Sequence, residues 1–182
     1  MNIRLAVADD AAAIAALYAP YVTASAVSFE GQAPSSEEMA ARIAAGGALY
    51  PWLIAEDGNG VLLGYASACA FRARHAYRFA VETSVYVAQD GHRRGVGGAL
   101  YGKLLPLVEA QGFTQAIAAV TLPNEASVRL HERFGFVRAG TYENVGFKFG
   151  RWRSVGLWQR PLSRLAEVPE EPRPFADHWR EG

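Results

Sequence analysis

Glu82 stands inside RFAVETSVYVA, an apolar and β-branched run where a sheet normally holds uncharged side chains. Strand alternation puts Glu82, Ser84 and Tyr86 on one face and Val81, Thr83, Val85 and Val87 on the other. Two roles fit such a carboxylate. It can pair with an upstream arginine, Arg72, Arg74 or Arg78. It can also act as a proton acceptor, directly or through a water, its proton affinity raised by partial burial. A second cluster follows at once: His92, Arg93, Arg94 and the glycines Gly95, Gly97 and Gly98, at the start of an amphipathic helix. Unpaired N–H groups at a helix start bind anions, glycines let the backbone approach, and the arginines add charge. A plain glycine turn with solvated arginines fits the same residues. Downstream, Asn124 and His131 are seven residues apart, so one side of a helix carries both, with Asn124 as N-cap. His131 fits a proton carrier, an orienting group or a histidine at the edge of the core.

These groups need a scaffold, and the chain reads as β-α-α-β-β-β-α-β-α-β-β, a mixed sheet flanked by helices in the α/β (α+β) class. NIRLAV is the first strand and DDAAAIAALYAPYV the first helix, while PSSEE opens a second helix that stops at Gly46-Gly47. Two strands follow around the turn Asp57-Gly58-Asn59-Gly60, then the strand of Glu82 and the helix from Gly95 to Gln111. A strand over FTQAIAAVTL, the short helix NEASVRLHERF and a terminal hairpin complete the order. Residues 1–162 read as one domain, and 163–182 as a proline-rich tail that packs through Phe175 and Trp179 or stays disordered.

Composition narrows the partners. Lys plus Arg equals Asp plus Glu at 18 each, so bulk charge points to neither nucleic acid nor an anionic membrane. One cysteine, Cys69, rules out an intramolecular disulfide and a cysteine-rich zinc site. It lies in an apolar strand and reads as packing, and no metal is expected. No apolar run reaches membrane length and the N-terminus lacks a basic leader, so the expected compartment is the cytoplasm.

Two better-known phosphate loops fail. Gly97-x4-Gly102-Lys103 is followed by Leu104 in place of Ser or Thr, and it lies inside the expected helix. Gly95-x-Gly97-x-x-Leu100 lacks a third glycine and follows the fourth strand instead of the first. The ordered set VSFE, FRARHAYRFAVETSVYV, HRRGVGGALYGKLL, TLPNEASVRLHERFGF and GFKFGRWRSVGLWQRPL instead resembles the GNAT superfamily of N-acetyltransferases. The likeness is to its phosphinothricin or methionine sulfoximine branch and covers roughly residues 2 to 162. The family's Gln/Arg-x-x-Gly-x-Gly/Ala pattern fits Arg94-x-x-Gly97-x-Ala99, whereas the frame ending at Gly97 would start on His92.

The resemblance implies acetyl-coenzyme A as co-substrate, its pyrophosphate on backbone amides of Arg93, Arg94, Gly95, Val96, Gly97 and Gly98. Its pantetheine arm would run along Val85, Tyr86 and Val87, with further contacts from Asn124 and Arg133. Six residues of strand from Ala88 back to Glu82 span roughly 20 Å, which brings the thioester to that carboxylate. Glu82 then becomes the general base, and His131 replaces a tyrosine that many members use near the leaving thiolate. Arg72, Arg74 and Tyr77 in the preceding loop suit a substrate carboxylate or phosphinate and disfavour a polycation. A solvated basic loop is their other reading. Phe29, Glu30, Thr83 and Lys148 complete the substrate pocket by resemblance. The acceptor is expected to be an amino-acid analogue such as phosphinothricin, methionine sulfoximine or methionine sulfone. A peptide amine, or acyl-coenzyme A sensing without turnover, remains the alternative. The hairpin aromatics Phe147, Phe149, Trp152 and Trp158 are expected in the core or in a homodimer contact.

Overall fold

A computed structural model describes residues 1–92 and 94–180. Seven strands form one sheet: β1 (Asn2–Leu5), β2 (Trp52–Glu56), β3 (Leu62–Ala70), β4 (Ala80–Val87), β5 (Gln115–Thr121), β6 (Val137–Lys148) and β7 (Arg151–Pro161). Their spatial order is β1-β2-β3-β4-β5-β7-β6, antiparallel except for the β4–β5 pair. The helices are α1 (Ala11–Thr23), α2 (Ser36–Ala45), α3 (Val96–Ala110) and α4 (Glu125–Arg133).

Local chemistry explains where these elements begin. Ser35 caps α2 by accepting from the Glu38 N–H, while Glu38 accepts from the Ser35 N–H at 2.7 Å, so two orphan donors are satisfied reciprocally. Gly95 precedes α3 at φ +78°, a left-handed conformation glycine enters without a Cβ penalty. Phe149 and Gly150 turn the β6–β7 hairpin with positive φ at both positions, the requirement of a tight turn whose twist matches its strands.

Alternation along the strands feeds two cores. Leu53 and Ala55, Ala66 and Ala68, and Val81 pack toward α3, with Leu100, Leu104, Val108 and Phe136. Ile54, Tyr65 and Tyr86 face α1 and α2, against Ile14, Tyr18, Val22 and Met39. The sheet is therefore covered on both sides around β2, β3 and β4.

Phe175 and Trp179 of the tail pack on the α3-side core. The Arg173 N–H donates to the Gln111 carbonyl, and the Gln111 side-chain amide donates to the Arg173 carbonyl at 2.8 Å. Glu171 pairs with Arg78 at 2.7 Å, which ties the tail to the loop before β4. The hairpin aromatics divide. Trp158 is buried, whereas Phe147, Phe149 and Trp152 are exposed around the turn end of the β6–β7 hairpin at the sheet's edge. Among the described residues no helix is long and apolar enough to cross a membrane.

Candidate active site

The sheet opens beside Glu82. β4 and β5 pair only through Ala80↔Gln115, Val81↔Ala116 and Glu82↔Ile117. Beyond that point β5 stays paired with β7 as far as Thr121↔Val155, while β4 stays with β3 as far as Val87↔Gly64. The two strands are each held by an outer neighbour and separate from one another. Among the described residues, the stretch of β4 from Thr83 to Val87 therefore has no strand partner on its β5 side. Backbone polar groups along such an edge can pair with a ligand that carries amides.

Glu82 is the last paired residue, its side chain 30% exposed. Partial burial raises its carboxyl above the ordinary carboxylate value, and Arg72, with Nη1 4.0 Å from Oε2, works in the opposite direction. At 4.0 Å the pair is long, so the arginine tempers the carboxylate without engaging it. Cys69 lies directly across β3 from Glu82 and is exposed, which corrects its reading as a packing residue. Desolvation by its surroundings, then the Glu82 charge, push the thiol up to about 11, so it stays protonated at neutral pH.

Two spaces adjoin β4, and Glu82 itself lines neither. On the α1–α2 side of the sheet lies a cavity of about 440 Å³ whose floor includes Tyr65, Ser67 and Cys69 of β3 and Ser84 and Tyr86 of β4. In the gap beside β4 lies a cleft of about 320 Å³, walled by Val85, Tyr86 and Val87 and by Asn124, Ser127 and Leu130 of the α4 region. Tyr86 borders both, and a narrow crevice joins the cleft to Thr83, Ser84 and His131.

His92 lines the cleft, and the chain enters α3 a few residues beyond it. Val96 is buried, so it offers a ligand only its backbone, while Arg94 is exposed. Arg93 lies outside the described residues. A Cβ on Gly97 would come within 3.2 Å of Leu130, so glycine keeps α3 and α4 close where they flank the cleft. Gly98 is more open, its nearest neighbour the Phe134 ring at 3.9 Å. Asn124 caps α4 by accepting from the Ser127 N–H at 3.2 Å and also lines the cleft. Arg133, expected beside it, is exposed at the other end of α4 and is not among the residues that line the cleft. Because only glycine holds φ +78° freely, Gly95→Ala is expected to cost about 1 kcal/mol of stability. It should also weaken acetyl-coenzyme A binding severalfold, read by chemical denaturation and calorimetric titration.

His131 is 4% exposed, and both ring nitrogens are engaged. Nδ1 lies 2.7 Å from the Ser127 carbonyl oxygen, which can only accept, so Nδ1 carries the proton. Nε2 then accepts from the Tyr101 hydroxyl at 2.9 Å. Burial lowers the imidazole's proton affinity, and the ring is uncharged at neutral pH. The expectation did not include Tyr101. It is 0% exposed, and a hydroxyl that deep in a core needs a partner, which is the signal that could have drawn it in.

Three expected substrate contacts are used differently. Thr83 faces α3, opposite to Glu82, with its hydroxyl 3.3 Å from that of Tyr101 and 3.4 Å from the Ile117 carbonyl. It belongs with the His131 network. Lys148 donates to the carbonyls of Val22, Ser28 and Glu30 at 2.7, 2.6 and 2.9 Å. Three donors are all an ammonium has, so Lys148 fastens the hairpin to the α1–α2 connection and leaves none for a ligand. Phe29 is part exposed and lies over Gly146, where any Cβ would collide with the ring. Arg72, Arg74 and Tyr77 are exposed in the loop between β3 and β4 and line neither space, the Arg72 guanidinium 4.4 Å above the Phe71 ring and Tyr77 edge-on to it. Among the described residues no group of three or more potential metal ligands gathers.

Residues 3–154 match the family described as "Acetyltransferase (GNAT) domain". The phosphinothricin N-acetyltransferase of Streptomyces viridochromogenes is 41% identical over 174 residues, covering 96% of this chain and 92% of that protein. The L-methionine sulfoximine/L-methionine sulfone acetyltransferase of Pseudomonas aeruginosa is 40% identical over 120 residues, 66% of this chain and 70% of that one. The crystal structure of a phosphinothricin acetyltransferase from Sinorhizobium meliloti in complex with acetyl-coenzyme A superposes with a TM-score of 0.88 at 36% identity, over 95% and 97% of the two chains. With its sheet, its open β4 edge and these relatives in accord, the chain belongs to the GNAT acetyltransferase family.

Proposed function

We propose that the protein transfers the acetyl group of acetyl-coenzyme A to the α-amine of a small amino-acid-like acceptor, with Glu82 as the base. The observation that carries this reading is the place of Glu82 at the last β4–β5 pair, where the open β4 edge begins, two residues from Ser84 and opposite Cys69, which both line the cavity on the α1–α2 side. The cofactor's pantetheine arm follows Val85 to Val87, and its pyrophosphate lies on the amides at the α3 start. Glu82 accepts a proton from the acceptor's ammonium, directly or through a water, which leaves a neutral amine. The amine nitrogen attacks the thioester carbonyl, and backbone N–H groups of β4 stabilise the oxyanion. The C–S bond then breaks, the nitrogen gives up its extra proton to the departing thiolate through solvent so that coenzyme A leaves as the thiol, and the amide keeps the acetyl group. His131, with both nitrogens engaged, holds α4 and Ser127 in place against the crevice. Arg72 and Arg74 in the loop between β3 and β4 receive the acceptor's carboxylate.

The relatives named for phosphinothricin and for methionine sulfoximine and methionine sulfone support an amino-acid-like acceptor. The exposed Phe147, Phe149 and Trp152 on an edge hairpin support a homodimer through that face. A single cysteine and the supply of acetyl-coenzyme A fit the cytoplasm.

The test is release of coenzyme A thiol across a panel of amino acids, amino-acid analogues, a polyamine and a peptide. Turnover of free amino acids or their analogues supports the reading, and turnover confined to the polyamine or peptide overturns it. Within the panel, Arg74→Ala is expected to raise KM about tenfold for an acceptor with a free carboxylate and far less for its carboxamide. Equal effects on the two would remove the carboxylate contact.

A further inference from the structure

Resting on that reading, we infer that the cavity beneath α2 receives the acceptor's side chain and selects a bulky uncharged one, an aromatic ring above all, over an anionic phosphinate. Geometry comes first. Glu82, Ser84 and Tyr86 follow one another on one face of β4, and Cys69, Ser67 and Tyr65 stand directly opposite them on β3. Cys69, Ser84 and Ser67 line the cavity, so an acceptor whose amine is held at Glu82 reaches it over a strip of small residues. The strip ends against two tyrosine rings. Each step of two residues advances roughly 7 Å, so a ring one step beyond the Glu82 carboxylate lies over Ser84 and touches the tyrosines.

The far wall is aromatic and nearly flat. Trp52 stacks on Tyr65 at 5.5 Å with 11° between planes, and Tyr65 stacks on Tyr86 at 5.3 Å with 27°. Such a surface favours a planar guest in offset or edge contact. Space is sufficient, since a dry cavity of about 150 Å³ already holds a benzene ring and this one offers about 440 Å³.

Charge makes the distinction. The charged residues that line the cavity are Glu30 and Arg42, and they neutralise one another. Arg42 Nη1 and Nη2 each donate to a Glu30 oxygen at 2.8 Å, and the Tyr18 hydroxyl adds a third bond to the same carboxylate at 2.9 Å. This fork-to-fork pair leaves no matched cation facing the aromatic wall. A phosphinate that entered would lose water without gaining a counter-ion, or would have to displace Glu30 from Arg42. An aromatic ring pays neither cost. Arg72, beside Glu82, and Arg74 are exposed in the loop between β3 and β4 and do not line the cavity, so on this reading they take the α-carboxylate and leave the side chain to the cavity.

The experiment compares kcat/KM of the full-length protein for L-phenylalanine, L-tryptophan and phosphinothricin, with acetyl-coenzyme A as donor. The expected result is a preference of about tenfold or more for the aromatic acceptors. Two variants address the cavity itself. Glu30→Gln frees Arg42 and is expected to shift selectivity toward phosphinothricin by about tenfold. Ala45→Phe on the exposed α2 roof intrudes on the cavity and is expected to lower turnover of phenylalanine severalfold more than that of alanine. Phosphinothricin preferred by the unaltered protein, or selectivity unmoved by Glu30→Gln, overturns the inference and leaves amino-acid N-acetylation standing. No turnover of any free amino acid or analogue overturns both.

Discussion

Glu82→Gln is expected to lower kcat by about two to three orders of magnitude, the usual contribution of a positioned general base, while acetyl-coenzyme A still binds. The amide keeps the shape and most of the hydrogen bonding of the carboxylate but accepts no proton at neutral pH. Turnover by thiol release and cofactor affinity by calorimetry therefore separate chemistry from binding. A protein that only sensed acyl-coenzyme A would show no turnover to lose. A loss smaller than about tenfold would remove Glu82 from the base role. The pH dependence carries a sign as well. The base works ionised, and burial raises its carboxyl, so the acid limb of kcat/KM rises through a value above the ordinary carboxylate range. Arg72 pulls that value down, and Arg72→Ala is expected to move the limb to higher pH. For stability, a carboxyl whose folded value is raised binds more protons folded than unfolded, so its contribution becomes unfavourable as pH climbs through that window. Glu82→Gln should consequently melt no lower than the unaltered protein at neutral pH, as expected of a group strained for function.

The element order was legible because each start carries local chemistry: the Ser35–Glu38 box, the alternation around Glu82, the glycine turn before α3. The glycine turn before α3 and the place of Glu82 on its strand were readable for the same reason. What alternation also said, and the substrate assignment overrode, is that Thr83 faces away from Glu82. The fate of Lys148 was hidden because its three acceptors are carbonyls more than a hundred residues away in sequence, and backbone acceptors leave no mark on residue type. The opening between β4 and β5 was hidden too. It arises because β5 continues on β7 and β4 on β3, a property of pairing that neither strand shows by itself. Cys69 looked like packing in an apolar run, yet it faces the side on which a cavity lies between the sheet and α2. Likewise the Glu30–Arg42 pair joins residues of two segments, so its effect on the cavity's charge emerges only in the fold.

Tyr101→Phe tests whether the buried imidazole is a structural anchor or a proton donor. The change removes one oxygen from a fully buried side chain, so packing is almost unaltered, but His131 Nε2 loses the hydroxyl that donates to it. Leaving a buried acceptor unpaired costs about 1–3 kcal/mol, so a fall in unfolding free energy of that size is expected in urea. The tautomer is directly readable. Nitrogen chemical shifts of the unaltered protein should report Nδ1 protonated and Nε2 bare across neutral pH. Burial has lowered the folded imidazole's proton affinity, so the unfolded chain takes up its proton first as pH falls. Stability from this group is full above about pH 6.5, the ordinary imidazole value, and declines below it. A donor to the leaving thiolate would behave otherwise. It would have to be protonated near neutrality, and its titration would appear as a basic limb in kcat that Tyr101→Phe moves. The anchor predicts no such limb, because Nδ1 is fixed on the Ser127 carbonyl and the proton that Nε2 accepts belongs to a phenol that burial makes still harder to ionise. An imidazole that titrates between pH 6 and 8 would overturn the anchor role.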